Sequence, residues 1–325
     1  MKTLIQKVLN NQSLSSQEAS EIIHAIAEEK MNDAQVVALM IGLQMKGLSL
    51  DEIEGFRNAL LNLALKIELD GTNAIDLCGT GGDGKDTFNI STTTSFVLAA
   101  MGNKVIKHGN YGVSSSCGSS NVLEALGYVF THDEKELNEQ LTKNNICFLH
   151  APLFHPTLKK VSHLRRDLGL RTFFNSLGPL VNPVQPAFQL TGTYDLELAK
   201  IYQHLLKKNR TDFRVVFGMD GYDEITLTEQ TRVLGLKSDE VINANLFELK
   251  SINAITLKAG KTVDESAQIV KTILKGEGSA EQTNVVAVNT AIALECFHPT
   301  TSKIELFNES LSFIKSGQAA KTFKF

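Results

Sequence analysis

The chain is short of most features that would settle a protein's class at once. Its 4 cysteines, Cys78, Cys117, Cys147 and Cys296, lie far apart with no C-x-x-C pairing. That argues against a disulfide framework or a zinc site and predicts reduced thiols. No basic surplus exists either: the formal net charge is −4. A nucleic-acid partner, which calls for a basic face, is therefore not expected. Any anionic ligand must be met by local cations, backbone amides or a metal. Nothing at the N-terminus resembles a signal peptide, and no apolar run reaches membrane-spanning length. We expect a soluble, cytoplasmic protein with no membrane partner. There is no internal repeat, low-complexity tract or charge block. Neither G-x-G-x-x-G nor G-x-x-x-x-G-K-[ST] can be fitted, which disfavours dinucleotide-binding and P-loop readings.

What is present is ordinary for a globule, with 42% apolar and 21% charged residues. A length of 325 residues allows two domains. Residues 1–70 predict helices alone. Ser15 to Glu18 fits a capping box, followed by an apolar face of Ile22, Ile23 and Ile26. Asp33 is a candidate cap for a helix that carries Val36, Val37, Leu39, Met40 and Leu43 and ends at Gly47. Ser49 is the candidate cap for a third, from Leu50 to Lys66. From residue 71 strands and helices alternate, with apolar runs at Ala74–Cys78, Lys104–Lys107, Ile146–Leu149, Gln189–Gly192 and Phe213–Phe217. Helices are expected over Asn121–Leu126, Glu134–Lys143, Leu196–Lys208 and, late in the chain, about Val285 to Cys296. The expected fold class is α/β: a small N-terminal helical domain (1–70, joined by part of 155–186) and a larger α/β domain (71–325). The latter is built on a mostly parallel central sheet.

Three stretches carry candidate chemistry. After the first apolar run, Gly79, Gly81, Gly82 and Gly84 fall within six residues, ahead of a helix from Ile90 with Asn89 and Ser91 as candidate caps. Strand, glycine turn and helix start together suit an anion, although a tight turn alone would look the same. One βα unit later comes Lys107-His108-Gly109-Asn110-Tyr111-Gly112-Val113-Ser114-Ser115, running on to Ser119. It combines a cation, glycines and hydroxyls where a strand should end, and suits a phosphorylated ligand. Asp223 and Glu224 follow the strand that ends near Gly218; such a pair can hold Mg²⁺, although acids beside glycine are more often exposed turns. Arg165 and Arg166 are neighbours, so on a helix only one of them can face a cleft.

Taken together, Gly79–Gly84 with Thr87–Thr92, Lys107–Asn110, Arg171–Leu180 and Asp220–Glu224 closely resemble the signature of the anthranilate phosphoribosyltransferase family. The order and spacing match over nearly the whole chain. The resemblance implies a phosphorylase/phosphoribosyltransferase-like fold, commonly a homodimer through the helical parts, and a step of tryptophan biosynthesis. By motif it implies that Gly79, Gly82, Asp83, Thr87, Asn89, Ile90, Ser91 and Thr92 bind phosphoribosyl pyrophosphate. It implies the same for Lys107, His108, Gly109, Asn110, Tyr111, Gly112, Val113, Ser114, Ser115 and Ser119. Ser91, Asp223 and Glu224 would bind Mg²⁺, and Gly79, Asn110 and Arg165 would hold anthranilate. Lys107, Asn110 and Arg165 are the expected catalytic residues. The chain departs from the family at Tyr111, where an arginine is common, at Asn121, where an aspartate is frequent, and at Tyr222, where a leucine is usual. Rival readings are a pyrimidine nucleoside phosphorylase of the same architecture and a non-catalytic, nucleic-acid-binding relative.

Overall fold

In the computed structural model, which describes residues 1–112 and 117–323, four helices come first. They are α1 (Lys2–Leu9), α2 (Ser16–Ala27), α3 (Asp33–Lys46) and α4 (Leu50–Leu63). The last three each begin with a reciprocal capping box, which satisfies two of the orphan amides at a helix start. At α2 the Glu18 amide donates to Ser15 Oγ (3.2 Å) and the Ser15 amide to Glu18 Oε2 (2.8 Å), as expected. At α3 the cap is Asn32 rather than Asp33. The Gln35 amide donates to Asn32 Oδ1 (3.0 Å) and the Asn32 amide to Gln35 Oε1 (3.2 Å). Asp33 becomes the first helical residue, where its charge still favours the helix dipole. α4 opens on Ser49 as expected but stops at Leu63, because Ala64 turns extended with ψ 149°.

Helices α2 and α4 pack closely enough that a Cβ on Gly55 would lie 2.1 Å from the Ser16 carbonyl oxygen, so only glycine fits. Their apolar face does not close on itself. Ile22, Leu39, Ile53 and Phe56 share a core with Val161, Leu164, Phe173 and Leu177 from the later helical return. Phe56 meets Phe173 at 4.7 Å between ring centres.

The rest of the chain builds one seven-stranded sheet. Its strands are β1 (Ala74–Leu77), β2 (Lys104–Gly109), β3 (Ile146–His150), β4 (Phe188–Gly192), β5 (Asp212–Gly218), β6 (Thr231–Gly235) and β7 (Asp239–Ile242). The spatial order is β3-β2-β1-β4-β5-β6-β7. The first five strands run parallel, β6 is antiparallel to β5, and β7 is antiparallel to β6. β1 and β3 are buried at every position, the mark of a sheet covered on both faces. On one face lie α5 (Ile90–Ala100) and the helices Val263–Leu274 and Ala280–Leu294. The other face meets the helix Leu196–Asn209 and the N-terminal layer.

Several boundaries shift from expectation. The short helix after the second loop spans Ser119–Ala125, and the late helix begins at Ala280. β2 runs on to Gly109, so Lys107 and His108 lie inside the strand rather than at its end. That strand is held by the full β3 register, from Val105↔Ile146 to Gly109↔His150. β1 lies between β2 and β4, so the connections on its two sides diverge and leave a crevice at the strands' carboxyl ends. Among the described residues no helix is long and apolar enough to cross a membrane.

Candidate active site

β1 runs directly into the glycine turn. A Cβ on Gly79 would lie 2.6 Å from Asp223 Oδ2, so space forbids any side chain there. Gly81 has open space around it but a φ of +62°, so its restriction is conformational. Its amide donates to Asp223 Oδ2 at 2.7 Å. Asp83 Oδ1 takes the Lys85 amide at 3.0 Å, while its Oδ2 is buried without a partner. Asn89 stands at the cap position of α5 but makes no capping bond. Its Nδ2 instead donates to the Cys117 carbonyl oxygen (3.3 Å), tying the first loop to the second. The Ser91 amide donates to Glu224 Oε1 at 3.2 Å. The turn and the start of α5 thus converge on one carboxylate pair.

The second loop closes the opposite side. Lys107 is buried, and its ammonium donates to the Leu77 carbonyl oxygen. His108 Nδ1 lies 3.0 Å from the Gly178 carbonyl oxygen, and burial, aided by His155 alongside, pushes its pKa down to about 3. The ring is therefore neutral; Nδ1 carries the proton and Nε2 is left buried without a partner. The Asn110 carbonyl oxygen takes Ser119 Oγ (3.3 Å) and the Ser120 amide (3.2 Å). Asn121, which departs from the family's usual aspartate, still clamps the loop. Its Oδ1 accepts the Gly112 amide at 3.1 Å and the Gly118 amide at 3.0 Å. Tyr111 donates its hydroxyl to Glu124 Oε1 at 2.6 Å and sets its ring edge-on to His150 at 4.7 Å. Val113, Ser114 and Ser115 lie outside the described residues.

Glycine turn, second loop and acid pair line one cavity of about 230 Å³, with Gly79, Gly82, Asp83, Thr87, Ser91, Lys107, Asn110, Asp223 and Glu224 on its wall. Asn89, Ile90, Thr92, His108, Gly109, Tyr111, Gly112 and Ser119 line it too. Arg165 closes it from the helix Ser162–Leu168. Its side chain is buried, with Nη2 3.5 Å from Asn175 Oδ1 and Nε without a partner. Burial lowers its pKa to about 10, so it stays charged at neutral pH. Arg166 points outward and is exposed, though it lines a second cavity of about 320 Å³ that shares Asn110, Tyr111 and Arg165 with the first. Arg171 stacks on Tyr194 at 3.7 Å, away from both cavities. Asp220 is tied into its own turn by Thr228 Oγ1 (2.6 Å) and takes no part in the wall. Sequence reasoning assigned no role to Phe174, Asn175 or Gly178, although all three line the cavity and sit in the block from Arg171 to Leu180.

The acids are short of donors. Burial raises the Asp223 pKa first, and the charge of Asp83 raises it further. Burial likewise raises that of Glu224, with Asp223 beside it, against the lowering influence of Lys107. Two buried carboxylates that repel, with the orphaned Asp83 Oδ2 nearby, are what a small divalent cation would relieve. Among the described residues no group of three or more His, Cys, Asp or Glu is gathered for a metal. That donor set fits Mg²⁺, which takes one or two carboxylates and completes its shell with water and substrate phosphate.

Comparison with known proteins agrees with this geometry. Residues 2–64 match the helical bundle domain of the glycosyl transferase family, and residues 71–320 match its a/b domain. The chain is 45% identical over 324 residues to the anthranilate phosphoribosyltransferase of Christiangramia forsetii, covering 100% of this chain and 98% of that one. The crystal structure of anthranilate phosphoribosyltransferase from Thermus thermophilus superposes with a TM-score of 0.89 at 30% identity, over 98% of this chain and 96% of that one. The Saccharomyces cerevisiae protein in complex with PRPP and Mg superposes with a TM-score of 0.88 at 25% identity, over 99% and 95%. The chain belongs to the anthranilate phosphoribosyltransferase family.

Proposed function

We propose that the chain transfers the phosphoribosyl group of PRPP to the amine of anthranilate and releases pyrophosphate, a step of tryptophan biosynthesis. One observation carries the reading. Glycine-turn amides, the buried Lys107 ammonium and a donor-poor acid pair share one cavity with a buried, charged arginine on its far wall. The bond from the ribose anomeric carbon to the pyrophosphate oxygen breaks as the bond to the amine nitrogen forms, and that nitrogen then sheds its proton. Charge develops on the departing oxygen. Lys107 and the backbone amides of Gly82 to Gly84 and of Thr92 stand ready to stabilise it. Asp223, Glu224 and the Ser91 hydroxyl would hold Mg²⁺, which when bound neutralises phosphate charge. A neutral aromatic amine is nucleophilic already, so positioning carries much of the rate. Arg165 suits the acceptor carboxylate, since a planar guanidinium takes such a group through two parallel hydrogen bonds. Asn110, on the wall of both cavities, would hold the acceptor beside it.

Three further readings go with this one. The helical layer of 1–70, with part of 155–186, forms a domain distinct from the α/β remainder. It is also the face through which two copies pair: α1 and α3 leave Leu9 and Met45 exposed at 55% and 83%. Four free, buried cysteines support a cytoplasmic setting. Loss of anthranilate fluorescence on mixing with PRPP and Mg²⁺ tests the activity, and sedimentation tests the dimer. No fluorescence loss in a folded sample would overturn the reaction assigned here.

A further inference from the structure

The seam between β1 and β2 opens where the cavity begins. On the β4 side β1 stays paired: the register continues to Leu77↔Leu190, and the Cys78 and Thr80 amides donate to Leu190 and Gly192 carbonyl oxygens. Its even-numbered backbone groups therefore face β4 and its odd-numbered ones face β2. In β2, the Val105 amide donates toward β3, so the even-numbered groups of β2 face β1. A parallel ladder would then pair the Leu77 amide with the Ile106 carbonyl oxygen and the His108 amide with the Leu77 carbonyl oxygen. Instead the β1–β2 register stops at Ile75↔Val105.

Side chains take over the bonds that the ladder gives up. The His108 amide donates to Asp76 Oδ1 at 3.0 Å, and Asn182 Nδ2 donates to the Ile106 carbonyl oxygen at 2.9 Å. The same Asn182 Nδ2 donates to Asp76 Oδ2 at 3.0 Å, joining the two. The Leu77 carbonyl oxygen, one of the four groups named, accepts the Lys107 ammonium. Asp76 and Asn182 are both wholly buried. Burial raises the Asp76 pKa, against the lowering influence of Lys107 and of Arg210, whose Nε donates at 3.1 Å to Gln189, the β4 residue in register with Asp76. The His108 amide and the Ile106 and Leu77 carbonyl oxygens thus keep partners where the two strands part, and the Lys107 ammonium is one of those partners.

We propose that Asp76 and Asn182 are positioning residues of the transfer, a wedge between β1 and β2 that fixes the Lys107 ammonium against the pyrophosphate leaving group. The inference rests on the reaction assigned above. Asp76→Asn keeps an acceptor for the His108 amide but removes the charge and sets one amide group against another. Asn182→Ser leaves the carboxylate in place and removes the reach to it. Calorimetry with inorganic pyrophosphate alone should show affinity falling about tenfold or more in each, with kcat falling alongside and the anthranilate KM held within about twofold. In a Lys107→Met background Asp76→Asn should bring no further loss, since its effect passes through the lysine. Folding is checked by circular dichroism and melting temperature. The proposal is overturned by wild-type pyrophosphate affinity in either folded variant, by a loss shared equally with the anthranilate KM, or by additivity with Lys107→Met. Failure of both variants to fold would reduce the wedge to a structural role. If the wild-type chain binds pyrophosphate yet consumes no anthranilate, the assigned reaction fails and not the wedge.

Discussion

Two buried acid sites in this molecule use the same chemical group in opposite ways. Glu52, in the helical layer, is closed. Its carboxylate accepts the Leu14 amide at 2.9 Å, the Ser49 amide at 2.8 Å and the Lys46 ammonium at 2.8 Å. Asp223 and Glu224, at the sheet's carboxyl edge, are open: one takes the Gly81 amide and its own, the other the Ser91 amide and hydroxyl. Among the described residues no cation pairs with either at close range, and a cavity lies in front of both. A carboxylate buried with its donors complete holds a structure together. One buried with too few is in a state that a ligand must complete. The contrast separates scaffold from site without reference to what the site binds.

Breaking the closed site should have the largest effect. Glu52→Ala leaves Lys46 and two amides without their acceptor, and loss of one partner of a buried pair costs about 3–5 kcal/mol. Urea unfolding should show that loss, while kcat per folded molecule stays at wild type. A catalytic defect at full stability would erase the distinction drawn here.

The open site should respond in the reverse sense. Asp223→Asn and Glu224→Gln should lower turnover by roughly a hundredfold, since charge stabilisation of a leaving group is worth a few kcal/mol. Without metal, neither should destabilise the fold. The sign follows from the raised pKa values. Folding favours the protonated acids, so stability falls as the pH rises above the ordinary carboxylate range of 3.8 to 4.5. Mg²⁺ should therefore raise the melting temperature more at pH 8 than at pH 5, and Asp223→Asn should remove that response. Calorimetric scans at the two pH values decide it; a melting temperature indifferent to Mg²⁺ in the wild type would count against the metal assignment.

Much of this was legible in the sequence, for physical reasons that differ by site. A capping box needs only residues three apart, so Ser15 with Glu18 and the cap at Ser49 could be read directly. Asn32 and Asp33 are both good caps, and only the partner at Gln35 decides between them. The glycine turn was legible because four glycines in six residues have few other uses. The extent of β2 was not, because its last residues are held by β3, itself about forty residues away, rather than by local propensity. Asp76 could be seen as an acid in an apolar strand, but its partner Asn182 lies 106 residues on, and no local pattern joins them.

Arg165 and Arg166 sharpen the comparison at intermediate size. Arg165 is buried with an unpartnered Nε, whereas its neighbour is exposed. A charge-assisted contact of roughly 1.5–3 kcal/mol means a ten- to hundredfold rise in the anthranilate KM for Arg165→Ala. The KM for PRPP should change little. Arg166→Ala, on the outer cavity, should do much less. Equal effects in steady-state kinetics would show that the two arginines are not distinguished by burial.

The smallest effect belongs to Tyr111, which stands where the family commonly has an arginine. It has no buried charge to strand. Its hydroxyl donates to Glu124 at 2.6 Å, and that carboxylate raises the phenol pKa to about 12, so the group remains a donor through the physiological range. The side chain is 40% exposed, so water replaces most of what a deletion removes. Tyr111→Phe should therefore cost only about 0.5 kcal/mol in loop ordering, roughly a twofold rise in a KM. The ring itself is held edge-on by His150 and lines both cavities, so Tyr111→Ala should cost more than Tyr111→Phe. Kinetics of the two variants compare hydroxyl with ring. If the phenylalanine variant loses as much as the alanine one, the loop is held by the Glu124 hydrogen bond, and this exposed contact behaves like the closed site at Glu52.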